Sequence, residues 1–374
     1  MTTRKQQNAC LEIGIVVYPD CLASAVHGLT ECFMVANRYA NCHKETQGLS
    51  IRVTHWRTSL RGGKRIECVY DSHRGMGRGA PCILIAPPSI VIDNPISSEA
   101  AAPYADWLAR WHARGSTVTS VCCGAFLLAE AKLLDGRTVT THWYYVDAFK
   151  ERYPAVIVDA DKLVIDDGDI ITAGGMTAWT DLGTRLIRRL LGPTVMSETA
   201  RFMLVDPSGR EQSYYSSFSP RLHHGDAEIL KVQHLLQKSG CRNVDLTKMA
   251  KTAGLEMRTF MRPFEKATNL KPTEYCQRLR IGKAREMLES TNHSVEQISW
   301  AVGYEDPTSF RRIFHRIMGL CPSDYRSRFA VNLAPAAARS VLEKQLQRQN
   351  NQTDSRRLTR VTPYQGNALI HPGL

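Results

Sequence analysis

Val121-Cys122-Cys123-Gly124-Ala125 sets two adjacent thiols where a β-branched run, 116–121 (STVTSV), passes straight into an apolar helical stretch, 125–133. A cysteine on such a turn is expected to stand exposed above a sheet, beside a helix N-terminus whose partial positive charge favours the thiolate and lowers the thiol pKa. That is the place of a nucleophile, or of a thiol sensor. Downstream, 138–143 (TVTTHW) puts His142 after another extended run, as a candidate partner for Cys122. Trp143 and Trp179 are flat faces suited to a cationic head group, although their apolar surroundings fit core packing better. With Gly174 and Gly175 at the end of DIITAGG, the candidate ligand-binding set is Cys122, Cys123, His142, Trp143, Gly174 and Gly175. The histidines follow no metal-ligand spacing, so neither a metal nor a cofactor is expected.

A second set of groups is cationic. RTFMRPF (258–264) and FRRIFHR (310–316) interleave arginines with phenylalanines four residues apart, Phe260 with Phe264 and Phe310 with Phe314. That spacing sends the rings to one helix face, as core, and leaves the arginines on another. Arginine paired to guanine O6 and N7 is the commonest specific base contact. Arg258, Met261 and Arg262 in the first helix, and Thr308, Arg311 and Arg312 in the second, are the candidate base readers. Lys266 and Arg316, a turn further on, are candidate phosphate contacts, which give affinity and salt dependence without sequence preference.

Such arginines need helices held at a fixed geometry, and residues 244–329 supply the same unit twice. A short amphipathic helix (Leu246, Met249, Ala250; then Val295, Ile298, Ala301), a glycine turn (Gly254; Gly303) and an arginine-bearing helix follow each other in both copies. Asp245 is a candidate N-cap, Ser294 and Gln297 form a capping box, and Asp306-Pro307 is an N-cap with proline at the first helical position. A long helix opened by Pro272 joins the copies, with Tyr275, Leu279, Ile281, Ala284 and Leu288 as its buried stripe. Two recognition helices about 34 Å apart can enter successive major grooves on one face of a duplex.

Charge supports this division. The formal net charge is +12; residues 224–330 hold 18 Lys+Arg against 12 Asp+Glu, residues 331–374 six against two, and residues 1–223 only 24 against 22. The excess is concentrated behind residue 224, as for a nucleic-acid partner. Eleven cysteines without a signal peptide predict reduced thiols in a cytoplasm. The first apolar run is broken by Glu12 and too short to span a bilayer, so no membrane partner is expected.

From 13 to 191 apolar strands alternate with helices. Strands are expected at 13–18, 51–56, 82–87, 116–121, 156–159, 162–166 and 169–175, and helices at 23–40, 101–113, 125–133, 145–153 and 178–191. This pattern predicts a parallel sheet covered on both faces, with ligands bound beyond the carboxyl ends of its strands. Residues 197–226, with Pro207, Gly209 and Pro220, read as irregular chain or hinge. A helix at 226–238 then leads into the double unit, and beyond 329 the chain reads as a weak helix (336–348) followed by disorder.

The double unit resembles the AraC/XylS family of bacterial transcription regulators. RTFMRPF, RIGKAR, IS-x-A-x-GY-x-D-x-x-x-FRR-x-F and GLCPSDYR recur at that family's spacing. Two positions depart from it. Pro263 lies inside the first recognition helix, where a basic residue is usual, and predicts a kink; Asn269 replaces a common glycine at that helix's end.

The first half resembles the ThiJ/PfpI branch of the class I glutamine amidotransferase-like domains, through VCCGAFLLAEAKLLDGRTVTTHW, DDGDIITAGGMTAWTDLGTRLI and, loosely, HGLTECFMVAN. The likeness gives Cys122 the elbow position and His142 the histidine position. Active members carry an acid near the end of the first strand–helix connection. Here residues 22–27 read LASAVH, with Asp20 just before them and Glu31 about two turns past Ser24. A pocket that binds without turnover is the expectation, and Cys122 and His142 are vestigial.

Fused in this order, the halves resemble the GlxA subfamily of regulators. The resemblance implies a flavodoxin-like α/β ligand-sensing domain (1–195), a linker (196–224), an all-α DNA-binding domain with two helix-turn-helix units (225–330) and a tail (331–374). By family analogy the chain is an activator binding operator DNA and RNA polymerase. Its effector is a small metabolite, with amines, amino acids and betaines suggested by related regulators, and a homodimer stays open. The rival reading is a cysteine-dependent amidase or hydrolase using Cys122 and His142, fused to a DNA-binding domain.

Overall fold

The computed structural model describes residues 9–59, 65–73, 80–91, 96–206, 211–215, 218, 220–222, 224–242 and 244–330. They form two compact units: the first takes the residues up to Asp226 together with Lys266–Asn269 and Arg312–Leu320, and the second is built of Ala227–Glu265, Leu270–Arg311 and the residues from Cys321 on.

In chain order the first unit runs β1 (Ala9–Val16), α1 (Ala23–Ala40), β2 (Leu49–Thr58), β3 (Ile66–Asp71), β4 (Ile83–Ala86), α2 (Ser98–His112), β5 (Thr117–Val121) and α3 (Ala125–Glu130). It continues with β6 (Thr138–Val139), α4 (Val146–Arg152), β7 (Ile157–Val158), β8 (Val164–Asp166), β9 (Ile170–Ala173) and α5 (Trp179–Phe202). Seven strands make one sheet in the order β3-β2-β1-β4-β5-β9-β8. Every residue of β4, β5 and β9 is buried, which is why these strands read as unbroken apolar or β-branched runs rather than as alternation.

The sheet is parallel only across its centre. β1–β2, β1–β4, β4–β5 and β5–β9 pair parallel, as expected, while the edge pairs β2–β3 and β8–β9 are antiparallel. β3 was not expected as a strand at all: residues 68–70 are exposed, so the run IECVYD carries no buried face to betray it. The expected strand at 156–159 pairs with β6 in a separate two-stranded sheet.

Helix α5 shows where local signals end and packing takes over. Gly192 (φ +88°) interrupts it where the expected helix stops, but Pro193 restarts it and the chain stays helical to Phe202. Residues 197–202 are therefore helix rather than irregular chain, and the expected boundary at 195 falls within α5. Buried Val195, Thr199 and Ala200 hold this second half in place. Trp179 at the start of α5 lays its ring against Gly28 of α1, a core position rather than a ligand face.

A buried histidine makes the first unit acid-sensitive. His55 on β2 is 6% exposed, with Nε2 2.8 Å from Thr30 Oγ1, its ring stacked on Tyr70 and His27 edge-on to it. Burial, and then His27, push its pKa from 6.5 down to about 4. The unfolded chain binds this proton near pH 6.5 and the folded chain only near pH 4, so stability falls as pH drops through that window. The expected loss from this group is about 3 kcal/mol by pH 4. Denaturant titrations at pH 7 and 4.5 should show it, and His55→Gln should flatten the difference; an undiminished loss in that variant would exonerate His55.

The helices after Asp226 are α6 (Ala227–Ser239), α7 (Leu246–Thr252), α8 (Met257–Thr268), α9 (Pro272–Ser290), α10 (Val295–Ala301), α11 (Pro307–Met318) and α12 (Pro322–Phe329). The expected caps are all in place. Asp245 accepts from Lys248 N (2.8 Å), Ser294 and Gln297 close a reciprocal capping box, and Asp306 accepts from the N–H groups of Thr308 and Ser309. Gly254 (φ +64°) and Gly303 (φ +92°) make the turns of the two copies, and Asn269 takes φ +58° after α8. The stripe of α9 is Tyr275, Cys276, Ile281, Ala284 and Leu288, with Leu279 only half-buried. α8 is assigned as one helix from Met257 to Thr268 with Pro263 inside it. No helix among the described residues is long and apolar enough to cross a membrane. The expected tail helix at 336–348 lies outside the described residues.

Candidate ligand site and nucleic-acid interface

Strand order reverses direction between β1 and β4, and the chain ends of β1, β4, β5 and β9 meet on one side of the sheet. This is the crevice where open α/β sheets bind ligands. Tyr18, just after β1, donates its hydroxyl to Pro87 O after β4 (2.6 Å), and Ser89 N donates to Cys123 Sγ after β5 (2.9 Å). Gly124 is required there, because a Cβ would lie 2.2 Å from Ala86 O.

Cys122 occupies the strained point of the turn, with φ +56°, a conformation that side chains larger than glycine rarely take. It is the elbow residue, but the expected exposed thiolate is overturned. Cys122 is 1% and Cys123 0% exposed. The neighbouring Cys123 thiol, and then burial, push the Cys122 pKa well above that of a free thiol. Cys123 is shifted the other way, lowered by its neighbour Cys122 and by Ser89 N–H against the cost of its own burial. Desolvation and the neighbouring thiol outweigh the helix-end field at Cys122, since burying a charge costs more than one helix terminus returns.

His142 is half-buried, which lowers its pKa. Its Nδ1 accepts from Tyr144 N (3.1 Å), so in the neutral ring the proton sits on Nε2. The nitrogen lone pair of this ring is thus already spent on backbone. The Trp143, Tyr144 and Tyr145 rings cluster about His142, with centroid separations of 5.3–6.1 Å between successive rings, and Tyr144 is 53% exposed.

The structure brings in side chains that the sequence did not mark. Thr141 Oγ1 donates to Cys122 O (2.9 Å) and so ties the histidine segment to the elbow. Gln212, 2% exposed, packs its amide over Gly174, which is thus covered rather than open. Tyr18 alone carried a signal, as a tyrosine closing the first strand run. Ser89, Thr141 and Gln212 are ordinary polar residues with no spacing or motif to mark them.

In the helices after Asp226, Phe260, Phe264, Phe310 and Phe314 are fully buried, as their spacing predicts. Arg258, Arg262, Lys266, Thr308, Arg311, Arg312 and Arg316 are exposed and Met261 is half-buried, so α8 and α11 each present a cationic face. Arg311 forms an ion pair with Glu296 of α10. Among the described residues no cluster of His, Cys, Asp and Glu could hold a metal ion.

Residues 94–189 match the DJ-1/PfpI family, and residues 249–328 match a helix-turn-helix domain family. The chain is 31% identical over 237 residues to the HTH-type transcriptional regulator CdhR of Pseudomonas aeruginosa, covering 63% of this chain and 66% of that protein. It is 28% identical over 218 residues to the HTH-type transcriptional regulator GlxA of Rhizobium meliloti, covering 57% and 66%. A shorter likeness, 37% over 87 residues, joins it to an isonitrile hydratase of Pseudomonas putida, covering 23% of this chain and 37% of that enzyme. The matched region thus spans 66% of the length of either regulator.

Proposed function

We propose that this chain, which carries a DJ-1/PfpI domain followed by an AraC-type helix-turn-helix domain, is a sequence-specific transcription regulator controlled by a small molecule. The observation that carries the reading is the duplicated unit, in which buried phenylalanines fix α8 and α11 while Arg258, Arg262, Arg311 and Arg312 face outward. Residues 225–330 bind operator DNA, with Arg258, Met261, Arg262, Thr308, Arg311 and Arg312 toward bases and Lys266 and Arg316 toward phosphates. The protein works in the cytoplasm as an activator that engages RNA polymerase.

The first domain binds its effector beyond the strand ends around Cys122, Cys123, His142, Trp143, Gly174 and Gly175, without turnover. Support comes from the buried, protonated Cys122 and from the His142 lone pair held by Tyr144 N. The aromatic cluster of Trp143, Tyr144 and Tyr145 suits the cationic head of an amine, amino acid or betaine.

Selection of binding sites from random-sequence DNA by the full chain tests the first part. The expected outcome is a site with two half-sites about 10.5 bp apart; a pool without enriched sequence would refute sequence-specific binding. Thermal unfolding against a panel of amines, amino acids and betaines tests the second, since a ligand of the native state raises its melting temperature. The shift should vanish in Cys122→Ser while affinity for the selected DNA stays unchanged. Consumption of the compound would instead favour the hydrolase reading.

A further inference from the structure

Gln212 is a polar residue in a polar segment, yet it is buried as deeply as the core. Both ends of its carboxamide are hydrogen-bonded. Nε2 donates to Thr140 Oγ1 (2.9 Å), Thr141 O (2.9 Å) and Lys162 O (3.1 Å), and Oε1 accepts from Trp143 N (3.1 Å). The two hydrogens of Nε2 are shared among three acceptors, one of them in a bifurcated bond, while Oε1 takes the one donor; a carboxylate in the same place would face three oxygens. The floor is Gly174, where a Cβ would fall 1.9 Å from Gln212 Nε2. The backbone around it is pinned as well. Gln212 N and Ser213 N both reach Asp161 O, and the Glu211 carboxylate takes Lys162 Nζ (3.0 Å) and Leu163 N (3.3 Å).

The bonded groups flank His142, with Thr141 before it and Trp143 after it, and Thr141 also donates to the Cys122 carbonyl. One residue, Thr141, therefore touches the elbow and the amide of a segment that leads on to α6. We infer that Gln212 is a latch, a positioning residue through which the elbow region controls the chain entering the DNA-binding domain. The inference rests on reading the first domain as a sensor. A guest at the elbow that shifts 140–143 cannot leave the Gln212 bonds unchanged, because the same backbone groups serve both. Latched and unlatched states then differ in how freely residues 211–215 move, and ligand binding and DNA binding bias that equilibrium reciprocally.

The test uses the full chain and needs no effector. Gln212→Ala empties the slot, Gln212→Glu places a carboxylate among its acceptors, and Gly174→Ala evicts the amide from below. Hydrogen exchange is followed in peptides covering 140–145 and 211–215, with β1 and β5 peptides as the control for intact folding, alongside affinity for DNA selected by the wild-type chain. Each single variant should speed exchange in both segments about tenfold, as expected for lost hydrogen bonds, and change DNA affinity about fivefold or more in one common direction. Gly174→Ala combined with Gln212→Ala should do no more than either alone, since both remove the same contact. Unchanged exchange at 140–145 in Gln212→Ala would overturn the latch, and so would release of both segments with unchanged DNA affinity, which marks a mere tether. If Gly174→Ala disturbs the control peptides, the two Gln212 variants decide. If the wild-type chain selects no DNA, the regulator reading fails on its own terms, and exchange still judges whether Gln212 holds the elbow segment.

Discussion

Phe310→Ala is expected to destabilise the DNA-binding unit by about 3–5 kcal/mol and to abolish DNA binding at moderate temperature. The ring is fully buried and meets Tyr304 edge-to-face at 5.4 Å. Its removal strips apolar contact and leaves a cavity that the surrounding helices fill only in part. Domains of this size are stable by about 5–15 kcal/mol, so the loss is a large share of the total. Because Phe310 lies on the face of α11 opposite its arginines, the substitution removes no DNA-contacting group. Loss of binding would therefore report the position of the helix. Denaturant unfolding of the full chain should show the transition of the second unit moved to lower denaturant and that of the first unit unmoved. A cost below about 1 kcal/mol would mean that the core around α11 closes over the gap.

The second large effect is expected at Arg312. Arg312→Ala should lower affinity for the selected site by about 1–3 kcal/mol, roughly ten- to a hundredfold, and relax selectivity at the base pair it reads. Arg311→Ala should cost less, because the Arg311 guanidinium is already engaged by Glu296. Lys266→Ala and Arg316→Ala should weaken binding to all sequences alike and reduce the salt slope by about one each. Gel-shift titrations at several salt concentrations separate these outcomes. Equal losses on selected and unrelated DNA for Arg312→Ala would move that arginine to the phosphate class.

The helices after Asp226 were legible because their instructions are local. Asp245, Ser294 with Gln297, and Asp306 with Pro307 act within three residues of themselves, and Phe260/Phe264 and Phe310/Phe314 declare their buried face at one helical turn. No distant partner has to be known for such signals to be read. Pro263 sits inside α8, which runs from Met257 to Thr268 without being ended by it.

In the first unit the alternation of strands and helices, the elbow at Cys122 and the histidine segment after β6 were all set by sequence alone, through β-branched runs that end in a glycine-bearing turn. What the elbow does chemically was decided in three dimensions. The thiol of Cys122 is held protonated because Cys123 and the packed crevice surround it, and Cys123 takes its backbone donor from Ser89, 34 residues away. The edge strand β3 exists because β2 offers it a partner. Gln212 meets Thr140 across 72 residues, and nothing within its own neighbourhood distinguishes it from a solvated linker residue. Desolvation and hydrogen-bond matching are properties of what the chain brings together, so they appear only once it is folded.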